Sequence, residues 1–243
     1  MIFLLFGVAM ETTSNVLVII PAYNEESCIL ETVKSVVEMG YDYVVVNDGS
    51  TDATLEVCHK NGINVLDLSQ NLGIGGAVQA GHKYAYRYGY AIDVQVDGDG
   101  QHDPAFIPDL VREIQKGKDL VIGSRFLSDN EGFKSTILRR TGIKWLSAWL
   151  RLLTGHVVKD PTSGFRACGK RAIKLFSTAY PTDYPEPDSI AVAIRNGLEI
   201  CEVSVEMHER QGGASSISGL SSLYYMVKVT ISIWIACMTR HTK

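Results

Sequence analysis

The chain has 243 residues, 46% of them hydrophobic, enough for one large α/β domain with a well-buried core or at most two small ones. Its net charge of -4 and isoelectric point near 5.9 argue against a general nucleic-acid binder. Cys28, Cys58, Cys168, Cys201 and Cys237 are scattered, odd in number and without a Cys-x-x-Cys pair, which fits a reducing cytoplasm and neither a disulfide framework nor a zinc site.

Residues 1–10 are apolar but lack the basic start and cleavage site of a signal peptide, and they are too short to span a bilayer; 1–14 is read as an extension. Residues 16–20 are a largely β-branched run stopped by Pro21, the pattern of a strand buried on both faces of a parallel sheet. A helix is predicted over 27–39, closed by Gly40, and a second buried strand over 43–46. That strand ends in Asn47-Asp48-Gly49-Ser50-Thr51-Asp52, where Ser50 or Thr51 is expected to cap a helix running to Asn61. A third strand over 65–68, a helix over 76–88, a strand at Val94, a helix over 104–116 and a strand over 119–122 follow. This alternation implies a doubly wound sheet, whose ligands sit outside the carboxyl ends of its strands.

Polar segments fall at those ends. Pro21-Ala22-Tyr23-Asn24-Glu25-Glu26 follows the first strand, Asp48-Gly49-Ser50 the second, Asn71-Leu72-Gly73 the third and Asp97-Gly98-Asp99-Gly100-Gln101-His102 the fourth. In extended backbone, carboxylates one residue apart point the same way, so Asp97 and Asp99 can close on one hard cation, Mg²⁺ or Mn²⁺, whose remaining positions phosphate oxygens fill. Gln101 and His102 are candidates for a further ligand. Turn chemistry explains an Asp-Gly-Asp-Gly run equally well in isolation. An EF-hand is excluded, because His102 and Pro108 stand where the loop glycine and the bidentate glutamate belong. Gly73, Gly75 and Val78 break the dinucleotide-loop spacing, and no Walker A pattern occurs.

With Gly123-Ser124-Arg125-Phe126 and Asp160-Pro161-Thr162-Ser163-Gly164-Phe165-Arg166, these segments stand in an order that resembles family 2 glycosyltransferases of GT-A fold. The branch they are most similar to holds dolichyl-phosphate mannosyltransferase and polyprenyl-phosphate glucosyltransferases, and the resemblance spans about residues 15–217. It implies an α/β, Rossmann-like three-layer fold with a mostly parallel central sheet. It also implies that Pro21, Tyr23, Glu25 and Asp48 line the base and ribose of a UDP- or GDP-sugar, and that Asp97, Asp99 and Gln101 hold metal and diphosphate. Asn71 and Gly73 join that nucleotide-sugar set, although a helix cap explains Asn71 as well. The family often has Ala at Gly98.

For the acceptor, the resemblance carries phosphate-binding roles to Arg125, Arg140 and Arg210, the last preceding Gly212-Gly213-Ala214-Ser215, where Ser215 is a further candidate. One turn beyond the paired arginines, where several relatives have Ser, this chain has Ile143. A lipid phosphate is largely ionised at neutral pH, its second pKa being ~6, and needs no protein base. A sugar hydroxyl needs one, and Asp160 and Glu186 compete for that role, Glu186 lying in Tyr184-Pro185-Glu186-Pro187-Asp188, read as a rigid turn. Asp99, Arg125, Asp160 and Glu186 form the expected catalytic set.

Over 137–153, Leu138, Trp145, Trp149 and Leu152 are assigned to one helical face and Arg140, Lys144, Ser147 and Arg151 to the other, a pattern for an anionic lipid surface or for core packing. The apolar segment 223–238 is short for a spanning helix and is read, within 218–243, as interfacial or partner-packing. The expectation is a metal-dependent inverting transferase that is peripheral on the cytoplasmic membrane face. It would move a sugar to polyprenyl phosphate, with a small membrane-protein partner possible. A saccharide-extending enzyme is the runner-up. An inactive nucleotide-binding module is third, disfavoured by the intact aspartate pair.

Overall fold

The computed structural model describes residues 15–127, 137–207 and 220–238. The expected run at the start is β1 (Val16–Ala22), buried along its whole length. It contains Pro21, which the sequence reading took as a stop. Proline lacks only a donor, and here the Pro21 carbonyl still accepts from the Gly98 N–H while the residue pairs with Val46. Alternate β1 side chains serve opposite cores. Leu17 and Ile19 pack with one apolar cluster, and Val18 and Ile20 with the other, so the run is continuous and not alternating.

After β1 come α1 (Ile29–Glu38), β2 (Asp42–Asn47), α2 (Thr54–Lys60), β3 (Val65–Asp67), α3 (Gly73–Tyr88), β4 (Ile92–Gln95), α4 (Ile107–Gln115) and β5 (Leu120–Ser124). The second half adds α5 (Ile137–Thr154), β6 (Arg166–Gly169), α6 (Lys170–Thr178), α7 (Pro185–Arg195), β7 (Ile200–Ser204) and α8 (Leu220–Met238). One seven-stranded sheet results, in the order β3-β2-β1-β4-β6-β5-β7. Every pairing is parallel except those of β6, which runs antiparallel between β4 and β5 and sets Asp93 opposite Cys168. Residues of α1 and α4 cover one face of the sheet; α3, α6, α7 and the α5–α8 pair cover the other. That is the three-layer, mostly parallel arrangement expected.

Several boundaries moved for identifiable reasons. Neither Ser50 nor Thr51 caps α2, because the Ser50 hydroxyl accepts from the Asn24 N–H and the Thr51 N–H goes to Asn24 Oδ1. α3 begins three residues early, with Gly73, whose N–H is held by Asn71 Oδ1. The helix predicted over 104–116 opens as a 3-10 turn, Pro104–Phe106, before α4. The stretch read as a rigid turn opens α7: Pro185 takes the first helical position, after Tyr184 at φ +51°.

Candidate active site

Val96 and Asp97 lie just beyond the end of β4 and Gly98 to Gly100 form a tight turn, so the aspartate pair sits past the strand and not within extended backbone as the sequence reading assumed. Asp97 Oδ1 accepts from the Gln95 amide at 3.0 Å, and its backbone N–H is held by His102 Nδ1 at 3.0 Å. That bond makes Nδ1 the acceptor, which leaves the neutral imidazole's proton on Nε2, 3.6 Å from Asp97 Oδ2. His102 is fixed in turn by stacking on Phe165. Asp99 is 4% exposed and Asp97 a third exposed, so one carboxylate is walled in and its neighbour opens outward. Asp99 Oδ1 accepts from the Gln101 N–H, which closes the turn. Hard oxygen donors, one of them half open, fit Mg²⁺ or Mn²⁺.

The turn is gripped from two sides. A Cβ built on Gly98 would come within 3.0 Å of the Pro21 carbonyl and 3.5 Å of Glu25, and the Gly98 carbonyl accepts from Thr32 of α1. A Cβ on Gly164 would lie 3.1 Å from both Asp97 Oδ2 and the Gln95 amide nitrogen. The first and fourth strand ends and the 160–166 segment therefore converge, as expected. The second and third strand ends join through Asp48, whose Oδ1 takes the Leu72 N–H at 2.7 Å, and through Gly49. At φ +65°, and with the Asn71 nitrogen 2.7 Å from any added Cβ, only glycine fits there. Asn24 and Glu26 tie the first loop to the second: Asn24 Oδ1 accepts from Thr51 and Glu26 Oε2 from the Ala53 N–H. Tyr23 is left 47% exposed at the rim.

On the opposite side Asp160, fully buried, takes the Arg125 guanidinium with both oxygens, at 2.7 Å from Nε and 2.7 Å from Nη2. The segment's last residue, Arg166, is also buried. Its guanidinium donates to the Ser163 and Pro161 carbonyls and to the Ser189 hydroxyl, joining this loop to α7. Glu186, in the first turn of α7, is partly buried. Burial raises its pKa; the Arg166 charge opposes that, the Asp97 charge adds to it, and Arg125 again lowers it. Glu186 thus stands within electrostatic reach of both the aspartate turn and the Arg125–Asp160 clamp.

A family model described as glycosyl transferase family 2 matches residues 17–176, which hold the four strand-end loops, Arg125 and the 160–166 segment but not α7. The chain belongs to that family. Among its relatives, the UDP-N-acetylglucosamine–dolichyl-phosphate N-acetylglucosaminyltransferase of Methanococcus voltae is 32% identical over 77% of this chain and 83% of that protein. The polyprenol monophosphomannose synthase of Mycolicibacterium smegmatis is 31% identical over 89% and 86%. Among solved structures, glucosyl-3-phosphoglycerate synthase of Mycobacterium tuberculosis, in complex with Mn²⁺, UDP-glucose and phosphoglyceric acid, superposes with a TM-score of 0.69 at 20% identity, covering 93% of this chain and 81% of that one. The fold is thus the GT-A arrangement, and the enzyme is a glycosyltransferase.

Among the expected site residues of the transferase, Pro21, Tyr23, Glu25, Asp48, Asn71, Gly73, Asp97, Asp99 and Gln101 lie on the four converging loops, with Arg125, Asp160 and Glu186 opposite. Arg140 is exposed on α5, whereas Ile143 one turn on faces the core, which accounts for its apolar side chain. Arg210, Ser215 and residues 1–14 lie outside the described residues. The sequence reading gave no role to Arg166, Thr32 or the Asn24–Glu26 network; only three-dimensional placement exposes them. It also missed a buried cluster behind the site, where His82 Nδ1 meets Asp93 Oδ2 at 2.7 Å beside Cys168. Burial and then the Asp93 charge push the Cys168 thiol well up, so the cluster is a neutral-thiol support under β4.

The faces of α5 are also redrawn. Ile143, Leu146 and Leu150 are buried, while Trp145 and Leu152, assigned with Trp149 to one apolar stripe, turn outward beside Arg140, Lys144 and Arg151. Among the described residues, no helix of the transferase is long and apolar enough to cross a membrane.

Proposed function

We propose that this transferase moves a sugar from a nucleotide-sugar donor to a polyprenyl phosphate, with inversion and with the help of Mg²⁺ or Mn²⁺, while lying on the cytoplasmic face of a membrane. One observation carries the reading: the Asp97–Asp99 turn is wedged between the Pro21–Glu25 loop and Gly164, so a diphosphate bound there has a nucleoside pocket on one side and the Arg125 clamp on the other. Two relatives are named for dolichyl-phosphate or polyprenol-phosphate chemistry, which supports the acceptor class.

Tyr23, Glu25, Pro21 and Asp48 receive the base and ribose of a UDP- or GDP-sugar, with Asn71 and Gly73 beside them. Asp97, Asp99 and Gln101 would hold the cation, which when bound would neutralise charge on the departing nucleoside diphosphate. His102 and Gln95 keep Asp97 turned to that task. Arg125 is locked by Asp160, which takes its Nε and Nη2 bonds, so it borders the transferred sugar and acceptor phosphate as a fixed positive group and not as a free phosphate-gripping fork. Arg140, Arg210 and Ser215 complete the acceptor's phosphate contacts. Attack by a phosphate oxygen on the far face of the anomeric carbon breaks the bond to the nucleoside diphosphate and inverts configuration. No proton need leave the nucleophile, because a phosphate monoester is already ionised at neutral pH.

A saccharide acceptor is the second reading, favoured by Glu186, a carboxyl of raised pKa that feels the charges of both Asp97 and Arg125. Asp160 is the poorer base of the two, since protonating it would strand the buried Arg125 guanidinium. Purified protein assayed with a panel of UDP- and GDP-sugars and short-chain polyprenyl phosphate, with and without Mn²⁺, tests the proposal. Transfer only to saccharides, with every polyprenyl phosphate refused, would sink it.

A further inference from the structure

The surface that α5 and α8 turn outward differs in chemistry from the rest of the chain. On α5 the exposed positions are Arg140, Thr141, Lys144, Trp145, Ala148, Arg151 and Leu152, spaced as one helical stripe. On α8 they are Val227, Ile231, Trp234, Ile235 and Met238, again one stripe, while Val229, Ile233 and Cys237 face inward to the core. The helices lie side by side: the Trp145 indole N–H donates to the Thr230 hydroxyl and that of Trp149 to the Thr230 carbonyl. All three tryptophans of the chain are on these two helices. The outward cations are Arg140, Lys144 and Arg151, and neither helix carries an Asp or Glu, in a protein whose net charge is -4. Segregated cations, amphipathic indoles and an outward aliphatic stripe together match the headgroup and acyl boundary of an anionic bilayer.

The other side of α8 meets the start of α7. Ser232 donates to Asp188 Oδ2, and Lys228 Nζ lies 2.7 Å from Asp183 Oδ2 and 5.2 Å from the centre of the Tyr184 ring. These three partners bracket the first turn of α7. Tyr184 is there held at φ +51°, a conformation that persists only where the surroundings impose it, and Glu186 follows two residues later. We propose that the joined outer face of α5 and α8 docks the transferase on an anionic lipid bilayer, and that α8 transmits docking to the start of α7, which Arg166 ties through Ser189 to the 160–166 segment behind the Arg125 clamp. The purpose of the device rests on the lipid-phosphate acceptor reading; the surface itself does not.

The full chain is floated with vesicles of phosphatidylcholine, with and without phosphatidylglycerol, and with no polyprenyl phosphate present. Binding to the anionic vesicles is expected, weakened roughly thirtyfold by Lys144→Glu with Arg151→Glu and lost in Ile231→Ser with Trp234→Ser. Melting curves matching the parent's show that both pairs fold. Binding unchanged in either pair overturns the docking face. So does a concentration-dependent dimer that does not float, which would place a second copy there.

Transfer to a soluble short-chain polyprenyl phosphate is then measured with and without anionic vesicles. The vesicles are expected to raise kcat several-fold, and Ser232→Ala to remove that gain while still floating. A kcat indifferent to vesicles that bind overturns the link to α7. Transfer without flotation removes the docking and leaves the acceptor reading standing. Flotation without transfer to any polyprenyl phosphate does the reverse.

Discussion

Asp160 meets Arg125 with both carboxylate oxygens, at 2.7 Å from Nε and 2.7 Å from Nη2, and the pair is closed to solvent. Asp160 also accepts the Arg125 backbone N–H at 3.1 Å, so the strand end and the guanidinium are fixed by one carboxylate. Truncating one partner of such a pair leaves the other buried and uncompensated, at a cost of about 3–5 kcal/mol. Asp160→Ala is therefore expected to lower stability by that order in chemical denaturation. Asp160→Asn keeps the size and tests the charge: kcat/KM is expected to fall at least about tenfold, because one amide cannot accept both guanidinium bonds.

The aspartate turn gives a second expectation. Asp99→Ala is expected to cut transfer by on the order of a hundredfold or more, as removal of a metal ligand does, with the fold retained because the change removes a buried carboxylate whole, its charge included. Chelation of the parent protein should abolish transfer, and added Mn²⁺ should restore it. Gly164→Ala probes the neighbouring carboxylate, since a methyl group 3.1 Å from Asp97 Oδ2 must turn it. That variant should need more Mn²⁺ for half-maximal rate while its maximal rate stays near the parent's. Unchanged Mn²⁺ titrations in both variants would place the cation elsewhere.

Glu186 separates the two acceptor readings. Its pKa is raised by burial, with Arg166 opposing. If it deprotonates a sugar hydroxyl, Glu186→Gln should remove nearly all activity. The parent's acid limb in kcat/KM should then stand above the ordinary glutamate range, and rise further in Arg166→Met. If the acceptor is a phosphate, Glu186→Gln should cost less than about tenfold, and the acid limb should follow the acceptor's second ionisation near ~6. The pH-rate profile of the three proteins decides between these outcomes.

How much of this was legible before folding follows from what each signal depends on. The β1 run, Gly40 and the aspartate pair are local signals, since burial of a strand, a left-handed helix end and adjacent carboxylates are written in consecutive residues. The antiparallel β6 was not legible: Arg166 to Gly169 is four residues long and owes its place to partners about fifty and seventy positions earlier. Asp160 read as a candidate base, because nothing near it in sequence says that Arg125 takes both its oxygens. The α5 faces went wrong for a related reason. Arg140, Lys144 and Arg151 lie one residue before or beside Thr141, Trp145 and Leu152, so the two stripes adjoin on one outward sector. The buried stripe is the third, through Ile143, Leu146 and Leu150.

Asp188 carries the last prediction. It is buried against α8, its Oδ2 takes the Ser232 hydroxyl, and its Oδ1 has no hydrogen-bond partner among the described residues. Burial lifts its pKa to about 7; the Ser232 hydrogen bond pulls against that, and the charges of Glu186 and Asp183 add to it. Between ~4 and about 7, therefore, the folded protein holds a proton that the unfolded chain has released, and stability falls as pH rises through that window. Above it the full penalty of an ionised buried carboxylate remains, on the order of 2–4 kcal/mol at about 1.4 kcal/mol per pKa unit. Asp188→Asn removes the charge while keeping the shape. It is expected to raise the melting temperature by several degrees at about pH 8, to change it little at about pH 5, and to flatten the slope between. Equal shifts at both pH values would mean that the carboxyl does not titrate in this range, and that the α7–α8 contact is held by packing alone.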